Sequence, residues 1–363
     1  MANKHMPYDL AQMQSLPLRA KIIMTQQRIR QWYEHWDGQV YVSFSGGKDS
    51  TVLKHIVDEM YSDVPAVFVN TGLEYPEIQQ FVRDIKAGKY DCFNSDVEII
   101  RPEMRFDEVV KKYGFPVVSK EVSRRVQYAK KAVIEGRQEF HGDYQKLIGK
   151  HLAPDGTKSQ YNCEKWNFLL DASFDCSSEC CTVMKKKPAK QYAKRTGRKP
   201  IIGTMAAESR LRLQKWIQSG CNAFEGKSPS SQPLSFWTEQ DIYHYIKEFN
   251  VPYASVYGDI VIDEKVDGED VLEGQINLID YLGDYSKEDK LKTTGCDRTG
   301  CIFCMFGCHL EKEPNRFQRL KETHPKQYKY CIGGGEMVDG KWQPSKEGLG
   351  LGKVLDYIGV KYE

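Results

Sequence analysis

The stretch "VSFSGGKDSTVLKH", residues 42–55, sets two glycines, a lysine, an aspartate and four hydroxyl side chains close together. An apolar run ends at Ser45, Gly46 and Gly47 let backbone N–H groups approach an anion, and a helix starting at Lys48 turns its positive dipole end toward that anion. Lys48 adds a point charge and Asp49 can orient a magnesium-bound phosphate, while Ser43, Ser45, Ser50 and Thr51 supply hydroxyls. These residues read as a phosphate site, with Lys48, Asp49 and Ser50 as the catalytic candidates. The glycines are spaced more tightly than in a Walker A loop. A plain Gly-Gly turn would need neither the lysine nor the hydroxyls.

Of eleven cysteines, seven fall in two groups. "DCSSECCTVMKKKP" holds Cys176, Cys180 and Cys181, and "GCDRTGCIFCMFGC" holds Cys296, Cys301, Cys304 and Cys308. Two thiolates separated by two residues can bind one metal or cluster, as Cys301 and Cys304 are spaced to do; the distant Cys180–Cys181 pair would complete four ligands. Four thiolates suit a tetrahedral zinc or a [4Fe–4S] cluster. Cys308 and Cys296 are spare ligands that could replace Cys180, and buried free thiols are the alternative, above all for Cys176 and Cys296.

The surrounding elements follow from periodicity. Leu18, Ile22, Ile23, Ile29 and Trp32 predict a helix over 17–36, followed by the strand "QVYVSF", a helix from Lys48 to Tyr61, a strand at 66–70, a helix from Tyr75 to Ala87 and a strand at 97–102. This alternation predicts an α/β fold with a doubly wound, mostly parallel sheet over 1–115. Residues 116–175 read as a mostly helical insertion, and 176–250 as the rest of the α/β part. The latter has a strand at 200–205 and a helix that Thr238 can cap. From Val251 to Glu363 the chain reads as an irregular, cysteine-rich region. A net charge of +2 forces no polyanionic partner on the whole molecule. No run of 18 apolar residues and no apolar leader occur, and an odd number of cysteines is poor material for disulfides; a cytoplasmic protein with no membrane association is expected.

"SGGKDS" after a strand resembles the pyrophosphatase loop of the PP-loop ATPases. "VFVNTGLEYPEIQQFV", "GTMAAESRLR" and "PLSFWTEQDIYHYI" are similar to motifs of the phosphoadenosine phosphosulfate (PAPS) reductase branch, together spanning roughly residues 40–310. The resemblance implies an adenine nucleotide alpha-hydrolase-like fold, with Thr71, Gly72 and Glu74 near the nucleotide and Glu208, Arg210 and Arg212 on its phosphate side. A solvated helix face is the other reading of the arginines. The tandem cysteines with a later CxxC resemble the [4Fe–4S] ligands of adenylyl-sulfate reductases.

Sulfonucleotide reductases use a late Glu-Cys-Gly cysteine. The final residues here, "GLGLGKVLDYIGVKYE", lack that motif, and Cys331 in "YKYCIGGGEM" is the late candidate. Lys48 has no evident role without a pyrophosphate to hold, so ATP and Mg²⁺ are the expected ligands. Such a loop together with a cluster resembles enzymes that activate a nucleic acid for sulfur insertion, with a cysteine desulfurase or other sulfur donor as partner. "MKKKPAKQYAKRTGRK", residues 184–199, carries eight Lys or Arg and no acid, which suits either a nucleic acid backbone or a solvated face. A true adenylyl- or phosphoadenylyl-sulfate reductase, and a nucleotide sensor with a structural cluster, are the alternative functions; the oligomeric state stays open.

Overall fold

The computed structural model describes residues 3–226, 228–263 and 290–363. Two compact units are present, one of residues 1–70, 74–100 and 190–299, the other of 71–73, 101–189 and 300–363. They group the chain differently from the four segments read above, since 101–115 and the helical stretch after it pack with the C-terminal residues.

The first unit is built on a six-stranded sheet. From edge to edge its strands are Val97–Ile100, Ala66–Val69, Val40–Phe44, Lys199–Ile202, Ser230–Ser231 and Asn222–Ala223. All neighbours are parallel except the last pair. Val40, Tyr41, Val42 and Phe44 are all buried, as a central strand covered on both faces requires. The chain runs outward from Val40–Phe44 through the strands at 66–69 and 97–100, then returns to 199–202 on the opposite side. This reversal is a topological switch point, and such sheets bind ligands at the carboxyl ends of the strands flanking it. The segments leaving those two ends are Ser45–Lys48 and Gly203–Glu208, so the Gly-Gly loop and the "GTMAAE" segment meet there.

The helix Leu18–His35 buries Lys21, Ile22, Thr25, Ile29 and Trp32. Ile23, expected on the buried stripe, is 56% exposed. Lys21 and Thr25 take the inner positions because each has a polar partner there: Lys21 pairs with Asp241 at 2.8 Å, and Thr25 Oγ1 accepts from Trp237 Nε1 at 2.8 Å. Thr238 caps the helix Glu239–Glu248 as expected, its side chain accepting from the Asp241 N–H.

In the second unit, the helices Lys120–Ile134 and Gly142–Leu147 account for much of the expected helical stretch, and Val117–Val118 pairs in parallel with Met305–Phe306. The C-terminal residues hold more regular structure than their composition suggests. Helices span Arg316–Thr323, Pro325–Ile332 and Leu351–Tyr357, and a hairpin joins Glu336–Val338 to Lys341–Gln343. Residues 264–289 of the stretch read as irregular lie outside the described residues. Among the described residues, no helix is long and apolar enough to cross a membrane.

Candidate nucleotide site and thiol cavity

The loop at the end of Val40–Phe44 is braced from within. Gly46 has φ +73°, and a Cβ there would meet Ile78 Cγ2 at 2.8 Å and Val82 Cγ2 at 3.0 Å. Gly46→Ala therefore combines a left-handed backbone with overpacking, and should lower stability by roughly 2–4 kcal/mol, read as a shift in the denaturant midpoint. Across the switch point, a Cβ on Gly203 would lie 3.0 Å from the Asp49 carbonyl oxygen, so the second segment passes directly against the loop.

The hydroxyls of Ser45, Ser50 and Thr51 bond within the loop. Ser50 Oγ and Thr51 Oγ1 both donate to the Gly47 carbonyl, at 2.9 and 3.0 Å, and Ser45 Oγ lies 2.9 Å from Ser50 Oγ. Ser50 and Thr51 are buried and shape the loop, instead of facing outward as donors. Ser43 sits within the strand, in register with Val67 and Ile202. Helix N-termini leave side-chain hydroxyls free to satisfy nearby backbone groups, and these residues do so.

Lys48 is 4% exposed and is not waiting for a ligand. Its Nζ donates to the Asp297 carbonyl at 2.6 Å and pairs with Glu239 at 2.8 Å; its backbone N–H donates to Tyr257 Oη at 3.2 Å. The expectation that its ammonium lacks a role without pyrophosphate is thus corrected. A phosphate at this loop would have to compete with Glu239 and Asp297 for it. Asp49 Oδ1 is buried with no hydrogen-bond partner in the structure. Burial pushes its carboxyl up, while Lys48, Arg298 and Arg212 pull it down. A buried carboxylate oxygen in that condition fits a divalent cation or a ligand proton.

Glu208 accepts from both Arg212 and Arg298, and its Oε2 also accepts from the Met205 N–H at 2.9 Å. Arg210 is exposed at the start of the helix Arg210–Ser219. Thr71 and Gly72 are grouped with the second unit, while Glu74 belongs with the loop. Sequence reasoning missed Glu239, Tyr257 and the run Asp297–Thr299. The one available signal was that Asp297, Arg298 and Thr299 are the polar residues inside "GCDRTGC".

In the second unit Cys180, Cys181, Cys301 and Cys304 line one cavity, walled by Phe106, Met184 and Phe303 among others. Cys180 and Cys181 sit on Glu179–Cys181, which continues into a π turn at Thr182–Lys186. Pro188 lacks the N–H that would bond the carbonyl four residues back and its ring crowds that carbonyl, which favours widening the turn. The Cys181 thiol is pulled down to about 6, first by the Cys180 hydrogen bond and then by Lys120 and Lys185; Cys180 is pushed up. Cys301 and Cys304 add to the push on Cys180.

Among the described residues no three Cys, His, Asp or Glu side chains converge on a single-ion site. Cys180, Cys181, Cys301 and Cys304 are the residues that would hold a metal ion or a cluster in this cavity. Cys308 is buried, its Sγ donating to the Met305 carbonyl at 3.0 Å, and it does not line the cavity. Neither Cys296 nor the buried Cys176 lines the cavity. Cys331 is fully buried, and burial alone pushes its thiol well above the ordinary range.

The basic stretch has spent part of its charge internally. Lys187 pairs with Glu103, Arg195 with Glu98, and Arg198 Nη1 donates to the Val40 carbonyl at 2.9 Å. Lys185 lines the thiol cavity. Lys186, Lys190 and Lys194 are exposed.

A strand–Gly-Gly–helix loop at the switch point of a doubly wound sheet is an arrangement met in nucleotide-binding α/β proteins. The family model for the phosphoadenosine phosphosulfate reductase domain matches residues 39–135 and 122–305, and the chain belongs to that family. An adenosine 5'-phosphosulfate reductase of Oceanobacillus iheyensis is 22% identical over 236 residues, 63% of this chain and 71% of that protein. Two uncharacterized proteins of Methanocaldococcus jannaschii are 33% and 38% identical over 91 and 90 residues, 24% of this chain each time and 21% and 18% of their own. The chain thus spans about a fifth of the length of these two relatives. A crystal structure of phosphoadenylyl-sulfate reductase from Candida auris, as a phosphate complex, superposes with a TM-score of 0.35 at 17% identity, covering 64% of this chain and 82% of that one.

Proposed function

We propose that the chain cleaves ATP between its α and β phosphates to adenylate an acceptor, in sulfur transfer to a nucleic acid. The observation that carries this reading is the loop's Lys48–Asp49 pair at the switch point, the carboxylate keeping a buried oxygen without a partner. An acceptor oxygen attacks the α-phosphorus, the bond to the bridging oxygen breaks, and pyrophosphate departs while the acceptor's proton passes to solvent. Lys48 and the loop N–H groups neutralise the leaving pyrophosphate. Mg²⁺ at Asp49 would offset further charge. A [4Fe–4S] cluster at Cys180, Cys181, Cys301 and Cys304 would supply sulfur delivery or relay. The test is product analysis with ATP labelled at the α-phosphorus: labelled AMP or an adenylated acceptor with pyrophosphate supports the reading, whereas ADP with phosphate, or no turnover, overturns it.

The named reductase relative favours adenylyl-sulfate reduction as a second reading. That chemistry needs an accessible thiolate, and the late candidate Cys331 is fully buried. A nucleic acid acceptor fits the exposed Lys186, Lys190 and Lys194. Replacing these three with Ala should flatten the log-affinity versus log-salt slope by about 0.7–0.9 for each phosphate these lysines neutralise, in at least one of tRNA, single-stranded and duplex DNA. Unchanged slopes for all of them would point to a small-molecule acceptor.

A further inference from the structure

We propose that Arg298 is a phosphate-recognition residue of the nucleotide site, leaving Glu208 for the β- or γ-phosphate of a nucleoside triphosphate; this rests on the ATP reading above. Residue 298 is held over the loop from both sides. The carbonyl of Asp297 accepts from Lys48 Nζ at 2.6 Å, and Thr299 Oγ1 lies 2.6 Å from Tyr257 Oη, which itself accepts from the Lys48 N–H. A Cβ on Gly47 would come within 3.4 Å of Thr299 Oγ1, so the segment lies against the glycine turn.

Two guanidiniums share one carboxylate here. Glu208 takes Arg212 on one oxygen and Arg298 on the other, and Arg298 adds to the burial that lowers the basicity of Arg212. Two cations this close are stabilised by a polyanion better than by a single carboxylate. Both also act on Asp49. Counted together, Lys48, Arg212 and Arg298 face Asp49, Glu208 and Glu239. A divalent cation taken up by the unpartnered Asp49 oxygen would leave the group net positive, the condition for holding a polyphosphate. The Arg298 side chain is 59% exposed against 14% for Glu208, so the arginine is the partner able to move.

The experiment measures binding of ATP, AMP and adenosine 3',5'-bisphosphate, each with Mg²⁺, to the full chain and to its Arg298→Ala and Arg298→Lys variants. Alanine should weaken ATP about 10- to 100-fold, the range of a lost charged hydrogen bond, and leave AMP unchanged; lysine should restore part of the loss. Equal weakening of all three ligands would mean a merely structural role. Loss confined to the bisphosphate would assign Arg298 to a 3'-phosphate, and no change would remove it from the site; each of these overturns the proposal. Wild-type protein that binds no ATP would be a failure of the ATP reading itself, separable from these results.

Discussion

Lys48→Ala is expected to slow pyrophosphate release from ATP on the order of 10²–10³-fold, the usual cost of removing one preorganised donor from developing charge. The side chain reaches Glu239, Asp297 and the faces of Tyr243 and Tyr257, 5.4 and 5.5 Å from its ammonium, so the site is built around it. Its removal should not unfold the protein. Glu239 is 46% exposed and can be rehydrated, unlike a carboxylate sealed in a core. Because Glu239 competes with phosphate for the same ammonium, Glu239→Gln serves as the companion variant and should tighten ATP binding. Turnover unchanged by Lys48→Ala would remove the loop lysine from the chemistry.

The second large effect concerns the thiols. Protein purified without oxygen should carry iron and sulfide at about four each per chain, because four cysteines border one cavity. Cys304→Ala should abolish the associated visible absorption. It should also lower the unfolding midpoint of the loaded protein, since a cluster joining residues 180–181 to 301–304 stabilises the fold as structural metals do. Cys308→Ala, whose sulfur lies outside that cavity, should retain iron. One zinc per chain without iron, or cluster loss on replacing Cys308 alone, would refute the ligand set.

The loop was legible in the sequence because its geometry is local: a strand, two glycines and a helix start at successive positions. That four of the thiols share one cavity was legible for a related reason, since two short spacings pick out cysteines able to lie together wherever the chain brings them. Partners remote in sequence were not legible. Lys48 meets Asp297 across 249 positions, and nothing near residue 48 announces Glu239 or Tyr257. The inward turn of Ser50 and Thr51 depends on the Gly47 carbonyl, which competes with any ligand for their protons. Ile23 was misplaced because hydrophobicity alone ranks it above Lys21 and Thr25, whereas Asp241 and Trp237 make those two the better buried residues. Arg298 escaped notice for a different reason: flanked by cysteines, it stood among residues whose spacing suggests metal ligands and nothing else.

An α-helix advances each side chain by about 100°, so widening one turn by a residue rotates the residues before it against those after it. The widened turn at Thr182–Lys186 therefore acts as an angular offset between the Cys180–Cys181 pair and the residues beyond it. The direction of the two sulfurs relative to the residues beyond the turn then depends on that wider turn as well as on the spacing of the cysteines. A chain with the same thiols but a regular helix in place of "TVMKKKP" would present them along another direction. Shared cysteine spacing is then an incomplete guide to shared chemistry, and the position of the proline belongs to the pattern.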